Sequence, residues 1–411
     1  MLIDIIAGAR PNFMKIAPII DAIQKAESGR WKAEGGSETQ TANQNPASRP
    51  PTLVRDSHRS LPTSDFPIPT LTYRLVHTGQ HYDKQMSASF FEQLGIPEPD
   101  VNLDARSGTQ AEQTARIMVR YEKLLMEAPA DLCLVVGDVT STMACSIVAK
   151  KLWMKVAHVE AGIRSFDLRM PEEINRMVTD SITDYFFTTS EVANANLRQA
   201  GIPEERIFFV GNTMIDTLLK HRPRFRRPPV WEQAGLSEGQ YIVMTMHRPA
   251  NVDEEQKLKA FLQAILDNVE GLPVVFPVHP RTAKVLEKLE LKGSHLHLAE
   301  PLPYLEFNYL VERSKAVITD SGGITEEATV MGIPCLTLRD STERPETITV
   351  GTNELIGTDP AALVPALQRL FRGEWKKGGI PELWDGKTGK RIVKHLLDLS
   401  VLKPSYETGR L

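Results

Sequence analysis

The sequence predicts an α/β protein of two domains, each a parallel sheet covered by helices. Three observations carry this. Short apolar runs rich in β-branched and aromatic residues alternate with longer amphipathic segments along most of the chain. A proline-rich, basic stretch, RPRFRRPPVWEQAGL (222–236), interrupts that alternation near the middle. The length of 411 residues suits two or three domains of roughly 150 residues each.

The strand-like runs, in order, are LIDII (2–6), LTYRLVH (71–77), LCLVV (132–136), VAHV (156–159), YFFTT (185–189) and RIFFV (206–210). Beyond the break come YIVMTM (241–246), VVFPV (274–278), HLHL (295–298), AVIT (316–319) and PCLTL (334–338). Helix-like stretches lie between them at 110–127, 142–152, 253–269, 280–289 and 324–331. Strand–helix–strand alternation of this kind builds parallel sheets. The first domain is read as 1–220 and the second as 221–389. The last segment, 390–411, begins with an amphipathic helix expected to fold back onto the first domain. The basic cluster at 222–227 reads as a solvated linker. Residues 28–70 are polar, proline-rich and without periodicity, and are expected to form a disordered surface insertion. No internal repeat is found.

Composition excludes several classes. Hydrophobic residues make up 41% and charged residues 24%, as in an ordinary globular protein. The formal charge of −4 is close to balance, so nothing advertises a nucleic-acid or anionic-membrane surface. No apolar run approaches the roughly 18–20 residues of a membrane span. The N-terminus lacks the basic leader of a secretory signal and reads as a strand. Cys133, Cys145 and Cys335 sit in apolar contexts without metal-type spacing, as expected of buried thiols in the cytoplasm. His77/His81 and His295/His297 are poor metal pairs, so no metal is expected.

In open parallel α/β sheets ligands bind beyond the carboxyl ends of the strands. Those positions here are polar, strand after strand: Arg10 and Lys15, then TGQHYD, Asp138, Glu160, His247, His279 and DSGGITEEA (320–328). In the last, Ser321, Gly322 and Gly323 leave a strand and open a helix. Glycines allow close backbone approach, and a helix N-terminus offers free N–H groups to an anion, most simply a phosphate. Helix capping by Ser321 would explain the serine but not both glycines. Neither GxGxxG after the first strand nor GxxxxGK[ST] occurs, so a dinucleotide fingerprint and a Walker loop are both missing. The stretch VAHVEAGIRSFDLRMPEEINR (156–176) places Glu160, Asp167, Glu172 and Glu173 among three arginines, either as a salt-bridged loop or as proton-transferring groups.

The motifs GARPNFMKIAPI, HTGQHYD, VVGDVTST, HVEAGIRSFD, MPEEINR, MHRPANVD, PVHPRT, DSGGITEEA and LRDSTERPETITVGTNELIG occur in that order. Together the chain resembles the non-hydrolysing UDP-N-acetylglucosamine 2-epimerases over nearly its whole length, residues 28–70 excepted. The resemblance implies two Rossmann-like domains in a GT-B-like arrangement with an interdomain active site. It implies interconversion of UDP-GlcNAc and UDP-ManNAc with no cofactor, NAD included, and a homodimer. It also implies a route, elimination of UDP to 2-acetamidoglucal and re-addition, that feeds polysaccharide or glycoconjugate synthesis.

Carried over on the matching motifs, Asp138, Glu160 and Glu172 are the catalytic carboxylates, and His247 is the cleft histidine near the diphosphate. Arg10 and Lys15 fall on the UDP side. Ser321, Gly322 and Gly323 form the diphosphate turn, Glu327 takes the ribose hydroxyls, Arg344 is a further nucleotide-site residue, and Phe307 lies near the uracil. Residue chemistry keeps alternatives open. Glu172 and Arg176 have the i,i+4 spacing of a helix pair, and Asp138 could cap the following helix. Glu173, Asp167 and the arginines read as scaffold. The chain departs from the pattern in its 28–70 insertion and in QHYDKQM (80–86), where a QHR-type sequence linked to activation by a second UDP-GlcNAc is common. Rival readings are a 2-epimerase of another UDP-2-acetamido sugar such as a diacetamido uronic acid, a hydrolysing enzyme, a catalytically silent nucleotide-sugar-binding regulator, and a glycosyltransferase. TERPET favours the plain GlcNAc type.

Overall fold

The computed structural model describes residues 1–29, 70–79, 91, 93–106, 108–252, 254–278, 286 and 295–401. Nearly all of the 28–70 insertion, QHYDKQM, His279, most of 280–289 and the tail after 401 lie outside the described residues.

The first sheet has seven parallel strands in the order β3-β2-β1-β4-β5-β6-β7. These are β1 (Leu2–Ala7), β2 (Thr72–His77), β3 (Val101–Asn102), β4 (Leu132–Val136), β5 (Lys155–Val159), β6 (Tyr185–Thr188) and β7 (Ile207–Phe209). Its helices are α1 (Arg10–Glu27), α2 (Gln110–Glu127), α3 (Thr140–Lys151), α4 (Pro171–Ile182), α5 (Glu191–Gln199) and α6 (Thr213–His221). The LCLVV run is buried at every position. Helices cover both faces of the sheet, which is why it does not alternate with polar residues. The order reverses between β1 and β4, the type of position where such sheets bind ligands.

The second sheet has six parallel strands in the order β10-β9-β8-β11-β12-β13. They are β8 (Ile242–Thr245), β9 (Val274–Pro277), β10 (Leu296–Ala299), β11 (Ala316–Thr319), β12 (Cys335–Thr337) and β13 (Asn353–Leu355). The accompanying helices are α7 (Val230–Gln233), α8 (Pro249–Val252), α9 (Glu255–Asn268), α10 (Tyr304–Arg313), α11 (Gly322–Met331), α12 (Pro345–Thr349) and α13 (Pro360–Phe371). Strands β3 and β13, two and three residues long, have too little apolar sequence to be read in advance.

In the stretch 222–236 the basic cluster is solvated, while apolar residues that follow it are not. Arg222, Arg226 and Arg227 do face outward and pair with Glu312, Glu306 and Glu232. Val230, Trp231 and Leu236, however, are buried in the second domain with Tyr241 and Val243. Trp231 supplies apolar area that the short strands around it lack.

The last helix, α14 (Thr388–Val401), packs on α1, and Ile392, Val393 and Leu396 enter the core that holds Ile3, Phe13 and Ile16. Asp216 on α6 receives its first two N–H groups, from Thr388 and Gly389, at 3.0 and 2.8 Å, which satisfies donors a helix start leaves free. The helix can come this close to α1 because residue 389 has no side chain: a Cβ there would meet the Pro18 carbonyl oxygen at 2.4 Å. Gly389→Ala is therefore expected to lose roughly 1–3 kcal/mol of stability by overpacking. Urea denaturation checks this, and an unchanged midpoint would show that the two helices are not in tight contact.

Candidate active site

The strand ends of both sheets meet in one cleft, and its centre is Glu160. The residue follows β5, is buried, and has a φ of 68°. That is a left-handed backbone, which a glutamate rarely adopts. Its Oε2 receives Lys15 Nζ from α1 at 2.6 Å and Arg344 Nη2 from the second domain at 3.1 Å. Its Oε1 is buried and without a hydrogen-bond partner among the described residues. Burial pushes the carboxyl up, but Lys15 and Arg344 outweigh it and hold Glu160 below its usual range. Gly137 leaves the space for this cluster. A Cβ there would lie 3.1 Å from Lys15 Nζ and 3.6 Å from Glu160 Oε2. Its φ of 68° also favours glycine, which carries no Cβ to clash.

Asp138 follows β4 and does not cap α3. Its Oδ2 receives Arg176 Nη1 at 2.6 Å, and its carbonyl receives Asn175 Nδ2 at 2.8 Å. Arg176 is buried and also gives Nε to Glu173 at 2.9 Å. The alternative of an i,i+4 pair between Glu172 and Arg176 is not realised, since Arg176 pairs at i,i+3 with Glu173. Glu173 is scaffold: it also receives the Ser165 and Phe166 N–H groups. Glu172 stays exposed in the first turn of α4, and its charge is felt by Arg248 across the cleft. Arg164 pairs with Asp180 and Arg169 with Asp167, as scaffold.

On the second domain Asp320 anchors the site, a residue that the motif reading does not single out. It receives the N–H groups of His247 and Arg248 and the Asn251 amide, and lies 2.8 Å from His247 Nδ1. Burial pushes Asp320 up, yet His247 and these donors hold it at about 2. The histidine ring is thereby aimed outward, and its side chain is 62% exposed. Ser321 occupies the cap position of α11, but its side chain makes no capping bond. A Cβ on Gly322 or Gly323 would meet its nearest neighbour, Arg339 Nη1 or Met214 Cε, only at 3.7 Å. Packing does not demand either glycine. What they preserve is bare backbone at a helix N-terminus with a guanidinium beside it, which suits an anion. Burial, with Arg339 nearby, pulls Arg248 below its usual range, so two crowded guanidinium groups converge here.

Glu327 is buried and accepts from Tyr304 Oη at 2.7 Å. Burial pushes it up to about 7, with the Tyr304 bond opposing and the Glu326 charge assisting. Phe307, on α10, packs against the apolar cluster around Trp231 and Leu310. Arg10 opens α1. Arg344 is buried, with Nε on Glu326 and Nη2 on Glu160. Glu326 in turn receives Asn212 Nδ2 from the first domain at 2.8 Å. Lys15, Glu160, Arg344, Glu326 and Asn212 therefore form one chain of hydrogen bonds across the domain boundary. Among the described residues no cluster of three or more His, Cys, Asp or Glu could hold a metal ion, and no helix is long and apolar enough to cross a membrane.

Two parallel-sheet domains with their strand ends turned to a shared, charged cleft define a GT-B-like protein. The family model described as UDP-N-acetylglucosamine 2-epimerase matches residues 68–397. The chain belongs to that family, whose members are isomerases. A UDP-N-acetylglucosamine 2-epimerase of Methanocaldococcus jannaschii is 35% identical over 408 residues, 96% of this chain and 99% of that protein. A UDP-2,3-diacetamido-2,3-dideoxy-D-glucuronate 2-epimerase of Pseudomonas aeruginosa is 42% identical over 335 residues, 80% of this chain and 92% of that one. The crystal structure of the M. jannaschii enzyme in complex with UDP-GlcNAc and UDP superposes with a TM-score of 0.75 at 36% identity, covering 96% and 99% of the two chains.

Proposed function

We propose that the protein interconverts UDP-N-acetylglucosamine and UDP-N-acetylmannosamine by eliminating UDP and adding it back. The C2 proton of the sugar has no neighbouring carbonyl to acidify it, so departure of UDP must drive its loss. The observation that carries the reading is Glu160: one oxygen clamped by two cations, the other buried and unpartnered at the cleft. That free oxygen is the proton-transferring atom. Asp138 and Glu172 provide further carboxylates for returning a proton on the opposite face. The backbone at Ser321–Gly323, with Arg339, Arg248 and His247, receives the departing diphosphate charge. The product enters polysaccharide or glycoconjugate synthesis, and the enzyme acts as a homodimer. The buried free thiols Cys133, Cys145 and Cys335 suit a cytoplasmic protein.

The test is incubation with UDP-GlcNAc in D2O, followed by NMR of the sugar. UDP-ManNAc carrying deuterium at C2 is expected. Free ManNAc would indicate hydrolysis, and no exchange would overturn the reading. A second reading, action on a diacetamido uronate sugar, is favoured by the 42% identity to the P. aeruginosa relative. Parallel assays on both UDP-sugars separate the two.

Glu327 adds a pH signature. A carboxylate that accepts ribose hydroxyls is favoured in its ionised form, so UDP binding should expel a proton from a group that sits at about 7. Wild-type affinity is then expected to gain on that of Glu327→Gln by roughly tenfold between about pH 6 and 8. Taking the ratio cancels the titration of UDP itself. Calorimetry checks this, and a constant ratio would remove Glu327 from the nucleotide site.

A further inference from the structure

Behind Glu160 lies a buried histidine to which the proposed chemistry assigns no step. His158, on β5, is fully buried. Its Nδ1 lies 2.7 Å from Asp180 Oδ1 and its Nε2 2.8 Å from the Gly137 carbonyl oxygen. A carbonyl oxygen can only accept. Asp180 Oδ2 already accepts from Gly162 N at 3.1 Å and pairs with Arg164 Nη1 at 2.6 Å. The Arg164 guanidinium and the Gly162 N–H on that one oxygen favour the ionised carboxylate whatever the state of the ring. With an acceptor on each side, both ring nitrogens must donate.

The partners of this ring are the turns that carry the catalytic carboxylates. Gly137 immediately precedes Asp138, and its N–H returns to the Val159 carbonyl at 3.0 Å. Gly162, held by Asp180, closes the left-handed turn at Glu160. The His158–Asp180 pair thus ties α4, the β4 turn and the β5 turn into one unit. Two cations hold Glu160, Lys15 from α1 and Arg344 from the second domain, and the His158 ring lies behind it. Around His158 the charged groups are Asp180 on α4 and Arg164 behind it.

We infer that His158 is a doubly protonated imidazolium in the resting protein and that its pair with Asp180 is the positioning device for Glu160. It holds the strained Glu160 turn and places a fixed positive charge behind the carboxylate. It touches no substrate atom. The charge role rests on the reading of Glu160 as the proton-transferring group, whereas the protonation state does not.

Two measurements test it. In ligand-free, full-length protein with 15N-labelled histidine, assigned with His158→Gln, both ring nitrogens of His158 are expected to carry a proton at about neutral pH, as the acceptor on each side requires. One bare nitrogen would overturn the inference whether or not the protein is an epimerase. The second measurement uses Asp180→Asn, whose amide can donate to Nδ1 while its oxygen still accepts from Gly162. The packing shape is kept and the ring is discharged. The acidic limb of kcat is expected to move up by roughly one pH unit, because removing a nearby cation raises a carboxyl pKa, with KM little changed. A lower kcat with an unmoved limb would reduce the pair to a structural prop and overturn the charge role. If wild type shows no turnover, the proposed function fails, and the nitrogen spectrum still decides the protonation.

Discussion

Glu160→Gln is expected to lower C2–H exchange of UDP-GlcNAc in D2O by roughly 100- to 10,000-fold while leaving UDP binding measurable. The amide has the shape of the carboxylate and keeps an oxygen facing Lys15 Nζ and Arg344 Nη2, so the left-handed turn remains occupied. What disappears is basicity at the unpartnered Oε1. The depressed pKa of Glu160 is not an obstacle. It reflects the cations held on Oε2, which keep the carboxylate ionised, the form that can accept a proton. Asp167→Asn is the contrast: this loop carboxylate is engaged with Arg169, away from the Glu160 cluster, and should change exchange little. Deuterium incorporation and calorimetry with UDP provide the two readouts. Exchange within about tenfold of wild type in the Gln variant would remove Glu160 from the proton-transfer step.

The strands of both sheets are readable because burial on two faces leaves continuous apolar runs, and because the residue after each run is polar where the cleft begins. Glu160, Asp138, His247 and the Ser321–Gly323 turn are visible for that reason. Their supports are not. Arg176 has carboxylates at both i−4 and i−3, and spacing alone cannot tell which is chosen. Orientation of α4 decides: Glu173 and Arg176 face inward while Glu172 faces out. His158 reads as one more residue of an apolar strand, since its partners lie 22 and 21 residues away. Asp320 stands directly before the glycine turn, and its position at a strand end is a usable signal. Trp231 is hidden by the basic, proline-rich residues around it. Contacts across the domain boundary, such as Arg344 to Glu160 at a separation of 184 residues, depend on how two sheets face each other, which no local pattern encodes.

That boundary contact sets the second large effect. Arg344→Met is expected to lose about 3–5 kcal/mol of stability at about pH 7.5, because it strips the counter-charge from buried carboxylates in both domains. Glu326 would retain Asn212, and Glu160 would retain Lys15, so neither is left wholly bare. The pH dependence follows from the depressed carboxyl. Glu160 in the wild type contributes stability above its unfolded pKa, and this is lost as pH falls through its lower folded value. Without Arg344 that contribution shrinks. The deficit of the variant should therefore be largest near neutrality and narrow as pH falls below about 4, where the unfolded carboxyl protonates too. Arg344→Lys should recover part of the loss, since an ammonium keeps the charge but cannot reach Glu160 and Glu326 with the same fork. An exposed ion pair sets the scale. Arg198→Ala breaks contacts to Glu191 and Glu204, and should leave the midpoint little changed, because solvent screens an exposed pair. Urea denaturation of the four proteins across pH checks the ranking. Equal midpoints for wild type and Arg344→Met near neutral pH would mean that the two domains are not joined through this guanidinium in solution.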